Sequence, residues 1–155
     1  MTRAPFQILL FPFRAAASAS EPEYAIFRRS DYEECWQGIA GGGHIGESPE
    51  ETARREAFEE AGIAAPLRLI KLDSTATVPV VHVSGFVWGP DTLVIPEYTF
   101  GAELDYGDLR LSAEHTEYRW VTYEAASRLL MWDSNKNALW ELNYRLTGRQ
   151  IPGDE

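Results

Sequence analysis

Apolar residues along this chain fall into short runs separated by polar or Gly/Pro punctuation, the spacing of strands interspersed with a few helices. Phe6 to Phe13 is apolar over nearly all of its eight residues, which predicts a buried strand. Ala15 to Pro22 is small and polar enough for a loop or hairpin tip, and Tyr24 to Arg29 reads as the partner strand. Leu67 to Asp73 alternates like a strand, and Val78 to Trp88 is a longer apolar stretch in which Pro79 and Gly85 suggest an edge strand or a bulge. Gly89, Pro90 and Asp91 mark a turn, and Glu97 to Leu104 and Tyr118 to Tyr123 read as further strands. Helical spacing appears late in the chain. Glu124 to Met131 places Ala125, Ala126, Leu129 and Leu130 inward. Asn135 to Leu146, capped by Asp133 or Ser134, places Ala138, Leu139, Leu142 and Leu146 at core spacing. The tail after Gly148 is polar and reads as frayed.

One helix is specified more sharply than the others. Ser48 suits an N-cap, Pro49 suits the first helical position, and Glu51 stands three residues after the cap, the spacing of a capping box. Gly62 supplies the C-terminal stop. This phase puts Glu56, Glu59 and Glu60 on one stripe at i, i+3 and i+4, while Ala53, Ala57 and Ala61 form a neighbouring small-residue stripe with Phe58 at its edge. Like charges so placed repel by a few tenths of a kcal/mol per pair, roughly, on an exposed helix. A divalent cation resolves the conflict, because Mg²⁺ takes oxygen ligands and is shared between carboxylates and substrate phosphates. Ahead of the helix, Gly41, Gly42 and Gly43 read as a loop that brings backbone close to metal and phosphate and permits positive φ. His44 reads as a loop-stabilising or exposed residue and His82 as structural.

Composition narrows the partners. A chain of 155 residues with 45% hydrophobic content predicts a single globular domain spanning 1–155. A formal net charge of −10 argues against binding a nucleic-acid polymer, which needs clustered Lys and Arg, but leaves small phosphorylated ligands open if metal ions carry the counter-charge. The single cysteine, Cys35, cannot form an internal disulfide and reads as buried filler in a reducing, cytoplasmic setting. No segment reads as a signal peptide or a membrane span.

The order Gly41, five residues, Glu47, seven residues, Arg55-Glu56-Ala57, one residue, Glu59-Glu60, one residue, Gly62-Ile63 resembles the Nudix box, with alanine in a slot that usually holds a larger aliphatic. The resemblance implies an α/β fold of the Nudix type, an α/β/α sandwich around a mixed, curved sheet. It also implies a metal-dependent enzyme, using Mg²⁺ or Mn²⁺, that splits a nucleoside diphosphate linked to another group. Carried over by position, Glu56, Glu59 and Glu60 are metal ligands, joined by the backbone carbonyl near Gly41. Arg55 orients Glu59 or Glu47, and Glu47 sits beside the metals in a secondary role. A further carboxylate is expected just before the Tyr118 strand to bind a second metal or take a proton from water. Glu114 and Glu117 qualify by type, and Glu114 is preferred because Glu114-His115 is similar to the bacterial dihydroneopterin triphosphate pyrophosphatase group. Trp36-Gln37, Glu97-Tyr98 and the tract WDSNKNALW resemble that group as well, whereas the GGG tract departs from it. Gln37, one of Arg28 and Arg29, and Tyr98 or Phe100 are candidate substrate contacts. The implied substrate is a nucleoside triphosphate or a dihydroneopterin triphosphate-like compound. The alternatives are dinucleoside polyphosphates, nucleotide sugars, or a binding module without catalysis.

Overall fold

The computed structural model describes residues 2–15 and 21–148. Its seven strands are β1 (Arg3–Ala15), β2 (Pro22–Arg29), β3 (Trp36–Gln37), β4 (Ile39–His44), β5 (Arg68–Pro79), β6 (Val94–Glu103) and β7 (His115–Val121). They form one mixed sheet with β1 at its centre. β1 runs antiparallel to β2 and β4 and parallel to β6; β5 closes one edge against β6, and β7 and β3 pair with β2.

The run in β1 is apolar because both faces of that strand are buried. Ile8 and Leu10 point into one core with Phe27, Ile39, Phe100 and Ala102, and Leu9, Phe11 and Phe13 point into a second with Tyr24, Ile26 and Leu72. Helix α1 (Pro49–Ala61) covers the first core through Ala53, Ala57 and Ala61, all buried, while Phe58 is half exposed. Helices α2 (Tyr123–Leu129) and α3 (Asp133–Thr147) cover the second through Ala126, Ala138, Leu139 and Leu142. The expected α/β/α sandwich is therefore the observed fold.

Helix α1 has the predicted termini. The Ser48 hydroxyl accepts from the Glu51 N–H, the Glu51 carboxylate accepts from the Ser48 N–H, and Gly62 stops the helix at φ 71°. Four expectations need correction. The glycine triplet is strand rather than loop, belonging to β4, and none of the three has positive φ. Absence of a side chain matters there instead: a Cβ would stand 2.2 Å from the Glu56 carboxyl carbon at Gly41, 2.4 Å from Arg3 Nε at Gly42 and 2.2 Å from the Phe6 ring at Gly43. The strand beginning near Leu67 extends to Pro79, and Val78–Trp88 is no strand of its own. After Pro79 the chain makes a 3-10 turn at Val80–His82 and bends back, with the N–H groups of Val83 and Gly85 both donating to the Val80 carbonyl. Neither Asp133 nor Ser134 caps α3: the N-cap is Trp132, whose side chain makes no cap bond, and Asp133 lies inside the first turn. Helix α2 ends at Leu129, so Met131 lies outside it. The loop expected between Ala15 and Pro22 falls largely on residues 16–20, outside the described residues, but Ala15 and Pro22 themselves pair as the last rung of β1 and β2. The tail after Gly148 is likewise outside them.

Because Gly43 carries the Phe6 ring directly, Gly43→Ala should lower the unfolding free energy by about 1–3 kcal/mol, the usual cost of overpacking. In urea titrations, Phe6→Ala in the same chain should remove most of that loss. An equal penalty in both backgrounds would mean the ring does not fill that space.

Candidate active site

The site begins with Arg55, whose guanidinium organises the acidic face of α1. Its Nε and Nη2 donate to the two oxygens of Glu47 at 2.7 and 3.0 Å, Nη2 also donates to the Gly42 carbonyl at 2.9 Å, and Nη1 reaches Glu56 at 2.9 Å and Glu59 at 2.7 Å. Glu47 further accepts from the His44 N–H and the Thr52 hydroxyl, both at 2.8 Å. These donors, led by Arg55, hold its carboxyl down at about 2. A carboxylate so saturated is a strut, fixing the turn between β4 and α1, and a weak proton acceptor.

Glu56 and Glu60 are in the opposite condition. Glu56 lies against the Gly41 backbone, and burial pushes its carboxyl up to about 7 despite Arg55, with Glu59 and Glu114 adding to the rise. Glu60 is only 5% exposed. Burial also pushes its carboxyl up, and the adjacent Glu114 carboxyl adds to the effect. Its local donor is Ser112 Oγ at 2.8 Å. His115 Nδ1 lies 3.7 Å from Glu60, too far for a hydrogen bond, and burial lowers the imidazole pKa so that it stays neutral near pH 7.

Glu114 is brought here by a strap that clings to the end of α1. The Arg110 N–H donates to the Ala61 carbonyl and the Ser112 N–H to that of Glu60, while the Glu114 carbonyl accepts from the Ser30 N–H at the end of β2. Glu56, Glu60 and Glu114 thus interact as a set, whereas Glu59 turns out to Arg55 and Glu117 pairs with Arg28 and Arg119. Among the described residues no three acidic, histidine or cysteine side chains already converge on one point. The donor chemistry nonetheless fits a hard divalent cation, since oxygen ligands predominate and two of the carboxyls are raised by burial and by neighbouring carboxyls, a cost that a bound cation would relieve. Glu56, Glu60 and Glu114 are the residues that would hold it, with the Gly41 backbone beside Glu56.

The expected substrate contacts are distributed differently. Arg28 pairs with Glu117 at 2.9 Å and lies over the Trp36 ring, and Arg29 is paired in two contacts with Asp31. Tyr98 packs against Phe6 and beneath Lys71 on the α1 side of the sheet, where Phe100 is core. Gln37 Oε1 accepts from Trp132 Nε1 at 3.1 Å. Arg3, Ser112 and Gln7 were not anticipated, nor was the buried contact in which Gln7 Nε2 donates to Glu97 at 2.5 Å. For Gln7 a signal was present, a polar residue in the middle of an apolar strand; for Arg3 and Ser112 nothing local marks them. A groove of about 510 Å³ between β5 and α3, lined by Asp73, Ser74, Asn137, Trp140 and Glu141, contains none of the clustered carboxylates.

Comparison with known proteins agrees with this architecture. A family model of the NUDIX domain matches residues 16–142. A Listeria monocytogenes protein assigned to the NUDIX hydrolases superposes with a TM-score of 0.83 at 40% identity, covering 94% of this chain and 96% of that one. The E. coli dihydroneopterin triphosphate pyrophosphohydrolase superposes with a TM-score of 0.77 at 23% identity, over 93% of this chain and 98% of the other. For the NUDIX domain of Shewanella oneidensis NrtR, solved with ADP ribose, the values are 0.70 and 15%, over 95% and 91%. The chain belongs to the Nudix family and is a Nudix hydrolase, acting on pyrophosphate bonds. Such enzymes in general use divalent metal ions and bind small nucleotide substrates. Among the described residues no helix is long and apolar enough to cross a membrane.

The carboxyl shifts predict how the metal-free protein responds to pH. Glu56 binds its proton more tightly when folded, about 7 against an ordinary 4.5, so its contribution to stability is complete below pH 4.5 and is lost as pH rises through 7. Glu47, held at about 2, contributes above pH 4.5 and loses that contribution toward pH 2. In EDTA, the melting temperature should therefore fall between pH 5 and pH 8, and fall less in the E56Q variant. Parallel pH profiles for the two proteins would contradict the assignment.

Proposed function

We propose that this protein is a Mg²⁺- or Mn²⁺-dependent pyrophosphohydrolase, one catalytic domain that cleaves the diphosphate of a small nucleoside triphosphate or dihydroneopterin triphosphate-like substrate. The observation that carries the reading is the part-buried Glu56 and the buried Glu60, both raised by burial and faced by Glu114 from the strap, while the cation beside them, Arg55, is shared among Glu47, Glu56 and Glu59. A bound divalent cation supplies the missing positive charge, neutralises the phosphate oxygens and acidifies the attacking water.

The remaining steps belong to the protein. Glu56 and Glu60 hold the cation-binding edge of α1, and Arg55 with Glu47 keeps that edge in register with β4. Glu114 faces Glu60 from the strap and accepts the proton of the water that adds to phosphorus as the bridging P–O bond breaks. Support for the pterin- or nucleoside-type substrate comes from the junction of two motifs. Trp36-Gln37 and the tract around Trp132 and Asn135 are joined by the Gln37–Trp132 contact, by the Met131 N–H on the Trp36 carbonyl, and by the Gly38 N–H on Asn135 Oδ1 at 2.9 Å. The free, buried thiol of Cys35 suits a reducing cytoplasm.

Glu60→Gln should reduce turnover by orders of magnitude while the melting temperature holds, and chelation should abolish turnover until Mg²⁺ or Mn²⁺ is restored. A hydrolysis screen over nucleoside triphosphates, dihydroneopterin triphosphate, dinucleoside polyphosphates and nucleotide sugars, with products resolved by mass, identifies the substrate. Full activity of the E60Q variant would refute the metal assignment, and ligand binding without product in every class would point to a binding module.

A further inference from the structure

Among the described residues, the part-buried Arg3 makes no ion pair with an aspartate or glutamate. Among the described residues Arg14, Arg28, Arg29 and Arg55, all part-buried, each contact an aspartate or glutamate. Arg3 instead donates from Nη1 to a neutral hydroxyl, Ser84 Oγ, at 2.7 Å, and its Nε is shielded from solvent with no partner. The guanidinium lies flat on β4, where a Cβ on Gly42 would stand 2.4 Å from Nε and 2.7 Å from Nη2. The residue before it, Gly41, bears the Glu56 carboxyl in the same manner, so consecutive glycines carry an acid and a base on alternate faces of the strand. Arg3 is held from behind by Trp88, whose Nε1 donates to the Arg3 carbonyl at 2.9 Å.

We propose that Arg3 is a ligand of the substrate's phosphate chain, contacting it from the face of β4 opposite the Glu56 carboxyl. The inference rests on the hydrolase reading above. An unpaired, partly desolvated guanidinium lacks the counter-charge its burial calls for, and its planar fork matches phosphate oxygens. Burial lowers the Arg3 pKa, and Glu56 is near enough to oppose that by favouring the charged form. A chain of net charge −10 has few cations to offer a polyphosphate, and Arg28 and Arg29 are already neutralised by Glu117 and Asp31.

The test compares the wild type with R3Q, R3K and G42A, by calorimetric titration of inorganic pyrophosphate in Mg²⁺ and by steady-state kinetics on the substrate found in the screen. R3Q should weaken pyrophosphate binding by about tenfold or more and raise KM by a similar factor, with kcat changed by less than about threefold. R3K, which keeps the charge without the fork, should fall between R3Q and wild type. G42A displaces the guanidinium without removing it, so it should shift affinity in the same direction and decides the matter should R3Q not fold. Wild-type affinity in a folded R3Q or G42A variant overturns the proposal, as does a loss confined to kcat. If the wild type hydrolyses substrate while R3Q behaves identically, Arg3 alone is wrongly assigned. If the wild type binds pyrophosphate through Arg3 but hydrolyses nothing, the hydrolase reading falls and the anion site stands.

Discussion

Three successive residues without side chains let groups from distant parts of the chain rest directly on the backbone of β4. Glu56 occupies the space above Gly41, Arg3 that above Gly42 and the Phe6 ring that above Gly43. A methyl group at any of these positions would come within 2.2 to 2.4 Å of a heavy atom, so the approach is available only to glycine. The alanines of α1 contribute to the same closeness from the other side, lying flat on Ile8, Leu10 and Ile39. The spacing between helix and strand is thus set by missing atoms, and it is short enough for Arg55 to reach from α1 to the Gly42 carbonyl.

That proximity determines where charge accumulates. Arg55 sits at the N-terminal end of the acidic stripe and satisfies Glu47 in two contacts, then Glu59 and one oxygen of Glu56. Its influence does not extend to Glu60, whose neighbours are a hydroxyl, a neutral imidazole and the carboxyl of Glu114. Negative potential therefore rises along the helix toward the strap that carries Ser112 and Glu114. Two carboxyls on one helix, four residues apart, are raised by burial, while Glu47, also close by, is held far below its ordinary value by direct donors. The gradient runs from a structural end to the end proposed to hold the cation.

How much of this could be read from the sequence depended on how local each determinant was. The Ser48–Glu51 box and Gly62 are signals within a turn of the helix they delimit, and once they fix its phase the directions of Ala53, Ala57, Glu56 and Glu60 follow. Glu59, expected as a further ligand, is paired with Arg55 along the same helix. The glycine triplet was legible as a place of close approach but not as a strand, since the atoms that need the room come from residues 3, 6 and 56, and no local pattern names them. For the same reason Arg3 was invisible, while for Arg28 and Arg29, adjacent and basic, the sequence did not show their pairing with Glu117 and Asp31. The apolar stretch from Val78 looked like a strand because its composition is right; the Val80 carbonyl collects two turn hydrogen bonds, and the chain leaves the sheet. At α3 the Asp133 and Ser134 signals were sound for a cap, but the helix starts one residue early and Asn135 is spent on Gly38.

The two cores share the sheet and differ in the helices that cover it, and this gives β1 a role that its uniform apolar sequence conceals. The carboxylates belong to the α1 side of the sheet, while the junction of Trp36, Gln37 and the start of α3 belongs to the other. Gly42, Gln7 and Glu97 stand side by side on β4, β1 and β6. That row is polar where the rest of β1 is not. Glu97 is buried, its carboxyl is raised, and one of its oxygens has no partner at hydrogen-bond geometry. A polar interruption of this kind is costly inside a sheet unless some function requires it. It shares a rung with Gly42, on which the Arg3 guanidinium rests.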